Sequence, residues 1–312
     1  MRAAAAIKLN YFYLIAGCIW FSACTQQPAA LVFQTDFGVE DGAVSAMKGV
    51  AYGVDKDIRQ FDLTHEIPAY DIWASAYRLH QAAAFWPKGT VFVSVVDPGV
   101  GTTRKSIVAK SRSGHYFVTP DNGTLTLIAL HTGLQEVREI DESVNRRVDS
   151  YASHTFHGRD VYAFTGARLA AGKISFEELG SIVDTGILVK LSYKAPQRQA
   201  DTLLGTLMVT DSRFGNIWSD IPGSMLEQLG VKHGELIQVR IYNKDQQVHS
   251  ASLPFVHTFG EVQEGQGLAY LNSLLNFSLA LNMGSYTDSF GIKNGPDWTI
   301  RITKQTKAID HE

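Results

Sequence analysis

Between residues 31 and about 195, short runs of consecutive apolar, β-branched side chains alternate with stretches whose apolar positions recur every three or four residues. The first pattern suits strands and the second amphipathic helices; their alternation predicts parallel strands joined by crossover helices. Leu31-Val32-Phe33 reads as a strand. Residues 42–53 place apolar side chains at 43, 44, 46, 47, 50 and 51, one face of a helix that Asp41 is placed to cap. The same spacing returns over 71–86 with Ile72, Ala76, Leu79 and Ala83, and residues 90–96 (TVFVSVV) form the run expected of a strand buried on both faces. The expected fold over 29–195 is therefore α/β with a mostly parallel central sheet. Past a polar, proline-containing stretch at 194–199 the texture changes to short strand-like runs at 203–209, 236–242 and 298–302 with turn residues between them. This predicts a second, small β-rich domain over 200–308.

Composition narrows the partners. A length of 312 residues accommodates two cores. With 28 Lys+Arg against 31 Asp+Glu and no block of like charge, affinity for a phosphate backbone is not expected, so nucleic acid is excluded as a partner. Residues 1–24 carry Arg2 and Lys8, then an uncharged apolar run, then small residues, the order of a secretory leader. The run over 11–23 is 13 residues, shorter than the roughly 20 that span a bilayer. Both cysteines, Cys18 and Cys24, fall here, each after small residues, as in the lipobox of bacterial lipoproteins. Cys24 is the expected lipidation site because polar Thr25-Gln26-Gln27 follows it. The expectation is an exported chain held in the cell envelope by a lipid anchor alone, plain secretion being the alternative; neither leaves a cysteine pair for a disulfide.

The chain contains no G-x-G-x-x-G after a strand, no P-loop, no H-E-x-x-H and no G-x-S-x-G. Four polar clusters stand instead at the ends of expected strands, where open α/β sheets bind ligands, and a fifth lies in the β-rich region. They are Gln34-Thr35-Asp36-Phe37-Gly38 with Asp41, the 96–104 segment from Val96-Asp97-Pro98-Gly99 to Arg104, Pro120-Asp121-Asn122-Gly123, Thr155-Phe156-His157-Gly158-Arg159-Asp160, and, in the β-rich region, Asp211-Ser212-Arg213-Phe214-Gly215-Asn216. Each alone is an ordinary turn sequence.

In this order, together with Met47-Lys48-Gly49 and Leu63-Thr64-His65-Glu66-Ile67-Pro68, they resemble the S-adenosyl-L-methionine hydroxide adenosyltransferase family, which also contains the fluorinases and chlorinases. The resemblance implies an α/β domain followed by a small β-barrel, in a homotrimer with sites between subunits. It implies attack of water or hydroxide on the ribose 5′-carbon of S-adenosyl-L-methionine, with that nucleoside as substrate and no cofactor. Asp97, Arg104 and His157 would activate the water. Asp36 would hold the ribose hydroxyls and Asp41 and Asp211 the methionine ammonium, while Phe214 would stack on adenine and Asn216 pair with its edge. Asp121, Asn122 and Ser273 complete the expected substrate contacts.

Blander readings stay open at this stage. Asp97 is equally a turn carboxylate capping Gly99 or Gly101, Arg104 a surface ion pair, Asp36 a helix N-cap, Asp41 and Asp211 caps or turn residues, and Phe214 barrel core. His157 could join His154 and Asp160 around a metal ion, although no second ligand pair stands nearby to complete a shell, and no metal is expected. For the whole chain, halide-dependent adenosyl transfer and a non-catalytic adenosyl-binding lipoprotein are the rivals. Two departures from the family pattern stand out: an extra residue precedes Phe214 in a segment ending Trp218-Ser219-Asp220, and Leu274-Leu275-Asn276 follows Ser273 where a glycine is usual.

Overall fold

The computed structural model describes residues 29–305; the leader with Cys18 and Cys24, and residues 306–308 of the expected second domain, lie outside the described residues. The first sheet contains β1 (Leu31–Thr35), β2 (Gln60–Thr64), β3 (Val91–Val95), β4 (Ser106–Ser111), β5 (Tyr116–Pro120) and β6 (Leu134–Glu139) in the order β2-β1-β3-β5-β4-β6. β1 pairs in parallel with β2 and β3, and β3 with β5, whereas β4 runs antiparallel to both β5 and β6. The sheet is thus mixed. The reversal arises because only Arg112-Ser113-Gly114-His115 separates β4 from β5: a tight turn with Gly114 at φ +86°, far too short for a crossover helix.

Strand periodicity divides the core into two layers. Leu31, Phe33, Val91, Val93 and Val95 meet Met47 and Ala51 of α1 (Ala43–Val54) on one face; Val32, Phe92, Ile107 and Phe117 meet Leu79 and Ala83 of α2 (Ile72–Ala83) on the other. Each such buried side chain contributes about 1.5–3 kcal/mol of hydrophobic stabilisation. Asp71 caps α2, its side chain accepting the Ala74 N–H at 2.8 Å, so the helix starts one residue after the expected boundary. α3 (Thr126–His131) packs beside α2, and a π-helical segment, Gly158–Ala163, leads directly into α4 (Phe164–Ala170). A Cβ at Gly166 would lie 2.5 Å from Val93 Cγ2, so glycine lets α4 press onto β3.

The second sheet is antiparallel at every pairing between named strands. It comprises β7 (Gln197–Gln199), β8 (Thr202–Thr210), β9 (Ile217–Pro222), β10 (Leu236–Asn243), β11 (Gln246–Pro254), β12 (Gly267–Leu271), β13 (Asn276–Leu281) and β14 (Trp298–Lys304). The order β11-β10-β14-β8-β9-β13-β12 nearly closes on itself, since Phe255, just past β11, bridges Ala269 in β12. This barrel-like sheet wraps Leu207, Ile221, Val239, Phe277 and Ile300, with α5 (Gly223–Gln228) and α6 (Tyr286–Phe290) at its margins. The two sheets meet where Trp73 Nε1 donates to Met208 O (2.8 Å) and Arg78 Nη2 to Thr210 O (3.0 Å). No helix among the described residues is long and apolar enough to cross a membrane.

Candidate active site

β1 and β3 are parallel neighbours in register from Leu31↔Val91 to Thr35↔Val95, so the loops leaving their C-terminal ends emerge side by side. Asp36 and Asp97 follow directly. After β3 the chain turns through residues 98–103, where Thr102 Oγ1 donates to Gly99 O (2.7 Å), and returns with Arg104 against Asp97. Nε of Arg104 donates to both carboxylate oxygens of Asp97, at 2.9 and 3.1 Å, and Nη2 donates to Oδ2. The Arg104 side chain is 10% exposed and that of Asp97 5%, so this is neither a surface pair nor a turn cap. Nη2 also reaches His157 Nδ1 at 3.1 Å, and Nη1 donates to Ser106 Oγ at 3.0 Å.

That contact fixes the imidazole tautomer. A guanidinium only donates, so Nδ1 accepts, and the proton of the neutral ring sits on Nε2. Nε2 is buried and without a hydrogen-bond partner. Burial pulls the His157 pKa below its ordinary value; the charges of Arg104 and Arg146 reinforce it, while Glu142 and Asp97 oppose. The ring is neutral at pH 7 and forms part of the wall of a cavity of about 270 Å³ lined by Asp36, Phe37, Tyr70, Asp97, Phe156 and His157. Gly158 lets this wall close, since a Cβ there would lie 3.3 Å from both Phe37 and Val95. Asp36 is not the cap of α1, whose N-cap is Gly42; its Oδ2 accepts the Tyr70 N–H at 2.9 Å on the cavity rim.

A larger cavity of about 720 Å³ opens in the barrel-like sheet, walled by Phe214, Asn216, Trp218, Phe259, Tyr270 and Ser273 among others. Phe214 is 68% exposed and so is not barrel core. Asn216 Oδ1 and Trp218 Nε1 are buried without partners in the same wall, an acceptor and a donor side by side in sequence register. Gly215, at φ +65°, is indispensable to this geometry because a Cβ would sit 1.9 Å from Ser285 Oγ. Asn272 shapes the turn that presents Ser273: its Oδ1 accepts from Leu274 N (2.8 Å) and Asn276 N (3.1 Å), with Leu275 forced to φ +60° where glycine would be relaxed.

The residues expected at one site therefore fall into two groups within a chain, and the two cavities share no lining residue. Five expected residues line neither: Arg104, which is bonded to Asp97 and His157, and Asp41, Asp211, Asp121 and Asn122. Asp41 Oδ1 accepts from Ala43 N (2.8 Å) at the start of α1, and Asp211 Oδ1 from Arg213 N (3.1 Å) in the turn before Phe214. Asp121 Oδ1 accepts from Val189 N (3.0 Å), and burial raises its pKa. Asn122 is engaged at both ends, Nδ2 donating to Val96 O (2.8 Å) and Oδ1 accepting from Thr124 Oγ1 (2.8 Å), which pins its loop to the end of β3. Within the single chain Asn122 thus supports the loop that carries Asp97.

His154 is exposed, Asp160 is committed to Arg147 (3.0 Å) and Arg159 (2.7 Å), and among the described residues no three His, Cys, Asp or Glu side chains are grouped to hold an ion. Sequence reading missed the layer behind Arg104. Ser106 Oγ contacts Glu142 Oε1 (3.1 Å) and Tyr162 Oη (3.2 Å), and the Arg104 guanidinium lies 5.6 Å from the centre of the Tyr162 ring. The one available signal was spacing: Tyr162 follows His157 by five residues, the repeat of a π-turn.

The model of the SAM hydroxide adenosyltransferase N-terminal domain matches residues 31–180, and that of the C-terminal domain matches residues 205–299. A (R)-S-adenosyl-L-methionine hydrolase of Salinispora tropica is 34% identical over 272 residues, 87% of this chain and 96% of the relative. A protein of the same name from Thermus thermophilus is 33% identical over 268 residues, 84% of this chain and 96% of the relative. A fluorinase of Nocardia brasiliensis is 27% identical over 296 residues, 87% and 96% of the respective chains. Among solved structures, an uncharacterized conserved protein from Thermotoga maritima superposes with a TM-score of 0.80 at 30% identity, covering 88% of this chain and all of that one. Matches of this identity, running through both sheets and through the loops that carry Asp97, Arg104 and His157, leave one assignment: the chain belongs to the SAM hydroxide adenosyltransferase family.

Proposed function

We propose that the protein hydrolyses S-adenosyl-L-methionine to adenosine and L-methionine. The observation that carries this reading is the Asp97–Arg104–His157 cluster, with Asp97 and His157 in the wall of a cavity whose rim holds Asp36. The water oxygen forms a bond to the ribose 5′-carbon as the carbon–sulfur bond breaks, and its electron pair passes to the sulfonium, which leaves as a neutral thioether. Such a leaving group needs no general acid and no cofactor. The task is to hold and orient water and to stabilise developing hydroxide. His157 Nε2–H donates to the water oxygen, leaving a lone pair for the carbon. Arg104 supplies positive charge close by, and Asp97 keeps the guanidinium aimed at Nδ1. A neutral Nε2–H cannot take a proton at that nitrogen, so His157 orients the nucleophile and the proton leaves to solvent or to Asp97.

Asp36 would accept both ribose hydroxyls, and Phe214, Asn216 and Trp218 would take the adenine, its polar edge meeting the two unpartnered groups of that wall. We infer that the two cavities unite across a subunit boundary in a homotrimer, the α/β domain (29–195) of one copy facing the barrel domain (200–308) of the next. Exposed apolar side chains at the barrel rim, Phe214 at 68%, Leu275 at 68% and Met283 at 83%, support that reading. Export and lipidation at Cys24 stand on the leader sequence, and labelling with a radioactive fatty acid, lost in Cys24→Ala, tests them.

Purified protein incubated with S-adenosyl-L-methionine under chelation should release adenosine and methionine in equal amounts. No adenosine with intact substrate binding would refute the hydrolase and favour a binding lipoprotein; a 5′-halogenated nucleoside formed with chloride or fluoride would favour halide transfer.

A further inference from the structure

Arg104 has a second anchor that is not part of the cluster. Ser106 opens β4 and is 4% exposed. Its hydroxyl accepts from Arg104 Nη1 (3.0 Å) and from Tyr162 Oη (3.2 Å) and gives its single proton to Glu142 Oε1 (3.1 Å), which exhausts its bonding capacity. The other oxygen of Glu142 accepts from Arg146 Nη1 at 2.9 Å. Arg146 is itself buried, and its remaining donors reach Ser150 Oγ (3.1 Å) and Ser153 O (2.6 Å) in the segment that runs into His157. One carboxylate therefore grips both arms of the cluster, the guanidinium through Ser106 and the His157 loop through Arg146.

We propose that Glu142 is a positioning residue for the hydrolysis, holding Arg104 Nη2 against His157 Nδ1 and balancing the two guanidinium charges that flank the imidazole. The role rests on the hydrolase reading above. The charged groups acting on His157 are Arg104 and Arg146, which disfavour imidazolium, and Asp97 and Glu142, which favour it. Asp97 is spent on Arg104 in a bidentate contact, and so Glu142 is the counter-charge shared with Arg146. Glu142→Gln keeps the shape and the acceptor facing Ser106 and deletes the charge. Ser106→Ala keeps the charge and cuts the link to Arg104.

The test is a proton NMR titration of His157, its resonance assigned by its loss in His157→Gln, alongside steady-state kinetics with S-adenosyl-L-methionine. In Glu142→Gln the His157 pKa should fall by about 0.5 or more. The kcat should drop about 10-fold with KM within about threefold, as expected when an oriented group is loosened and substrate contacts are kept. In Ser106→Ala kcat should drop with the titration unmoved. An unchanged titration in folded Glu142→Gln overturns the proposal, and so does an unchanged kcat in Ser106→Ala, which decides the matter should Glu142→Gln fail to fold. A shifted titration in a protein that never releases adenosine would refute the hydrolase reading and leave the charge coupling of Glu142 to His157 standing.

Discussion

The junction between the two sheets buries a carboxylate whose effect on stability can be worked out. Asp220, in β9, accepts the Thr206 N–H at 2.8 Å through Oδ1, while its Oδ2 is buried without a hydrogen-bond partner. The hydroxyls of Tyr77 and Tyr193 are buried beside it, equally unpartnered, and burial pushes both above the usual tyrosine range. Burial likewise pushes Asp220 up from 3.8 to about 6, overriding the hydrogen bond from the Thr206 amide. The folded pKa exceeds the unfolded one, so the fold favours the protonated acid. That contribution is fully present below about pH 4 and is lost as pH rises through about 6. Each pH unit of the gap corresponds to about 1.4 kcal/mol, or about 3 kcal/mol in all, reduced to about 2 kcal/mol because the side chain keeps some contact with solvent. Asp220→Asn removes the charge, retains the acceptor for Thr206 and adds an N–H for Tyr193. It should raise the melting temperature at pH 8 by about 4 °C and leave it unchanged at pH 4. Thermal melts of both proteins at pH 4, 6 and 8 check this. An asparagine variant no more stable at pH 8, or one with the same gain at every pH, would refute the argument.

Arg104→Lys replaces a planar fork by a point charge and cannot serve Asp97, Ser106 and His157 together; kcat for adenosine release should fall about 10²-fold or more with KM nearly unchanged, read by chromatographic product assay. Because His157 acts neutral and its pKa lies below the ordinary value, kcat should hold as pH falls to 6.5 and decline beneath that, as imidazolium formation places two donors face to face; an acid limb above pH 7 contradicts the tautomer. Phe214→Ala should raise KM about 10-fold and shift the melting temperature by less than about 1 °C, since a side chain 68% exposed holds little of the core. Gly166→Ala drives a methyl into Val93 and should destabilise the fold by about 1–3 kcal/mol in urea unfolding.

Local pattern in the sequence sufficed for much of the architecture, because hydrophobic periodicity is a property of neighbouring residues. The strands at Leu31–Thr35 and Val91–Val95, the helices over 43–54 and 72–83, and the change of texture near residue 195 all follow from it. The motif order likewise singled out Asp97, Arg104 and His157 before any geometry was known. What the pattern did not contain was direction and distance. The reversal of β4 depends on a four-residue turn that resembles any polar loop, and the commitment of Asn122 to Val96 and Thr124 depends on how two loops pack. The hydrogen bond from Arg104 to His157 spans 53 residues, and the tautomer it dictates follows from one nitrogen facing another. The grip of Glu142 on both arms, the burial that raises Asp220, and the separation of Phe214 and Asn216 from the Asp97 cavity are likewise properties of assembled surfaces. Desolvation and hydrogen-bond direction exist only between groups brought together in space, and so only the tertiary structure decided them.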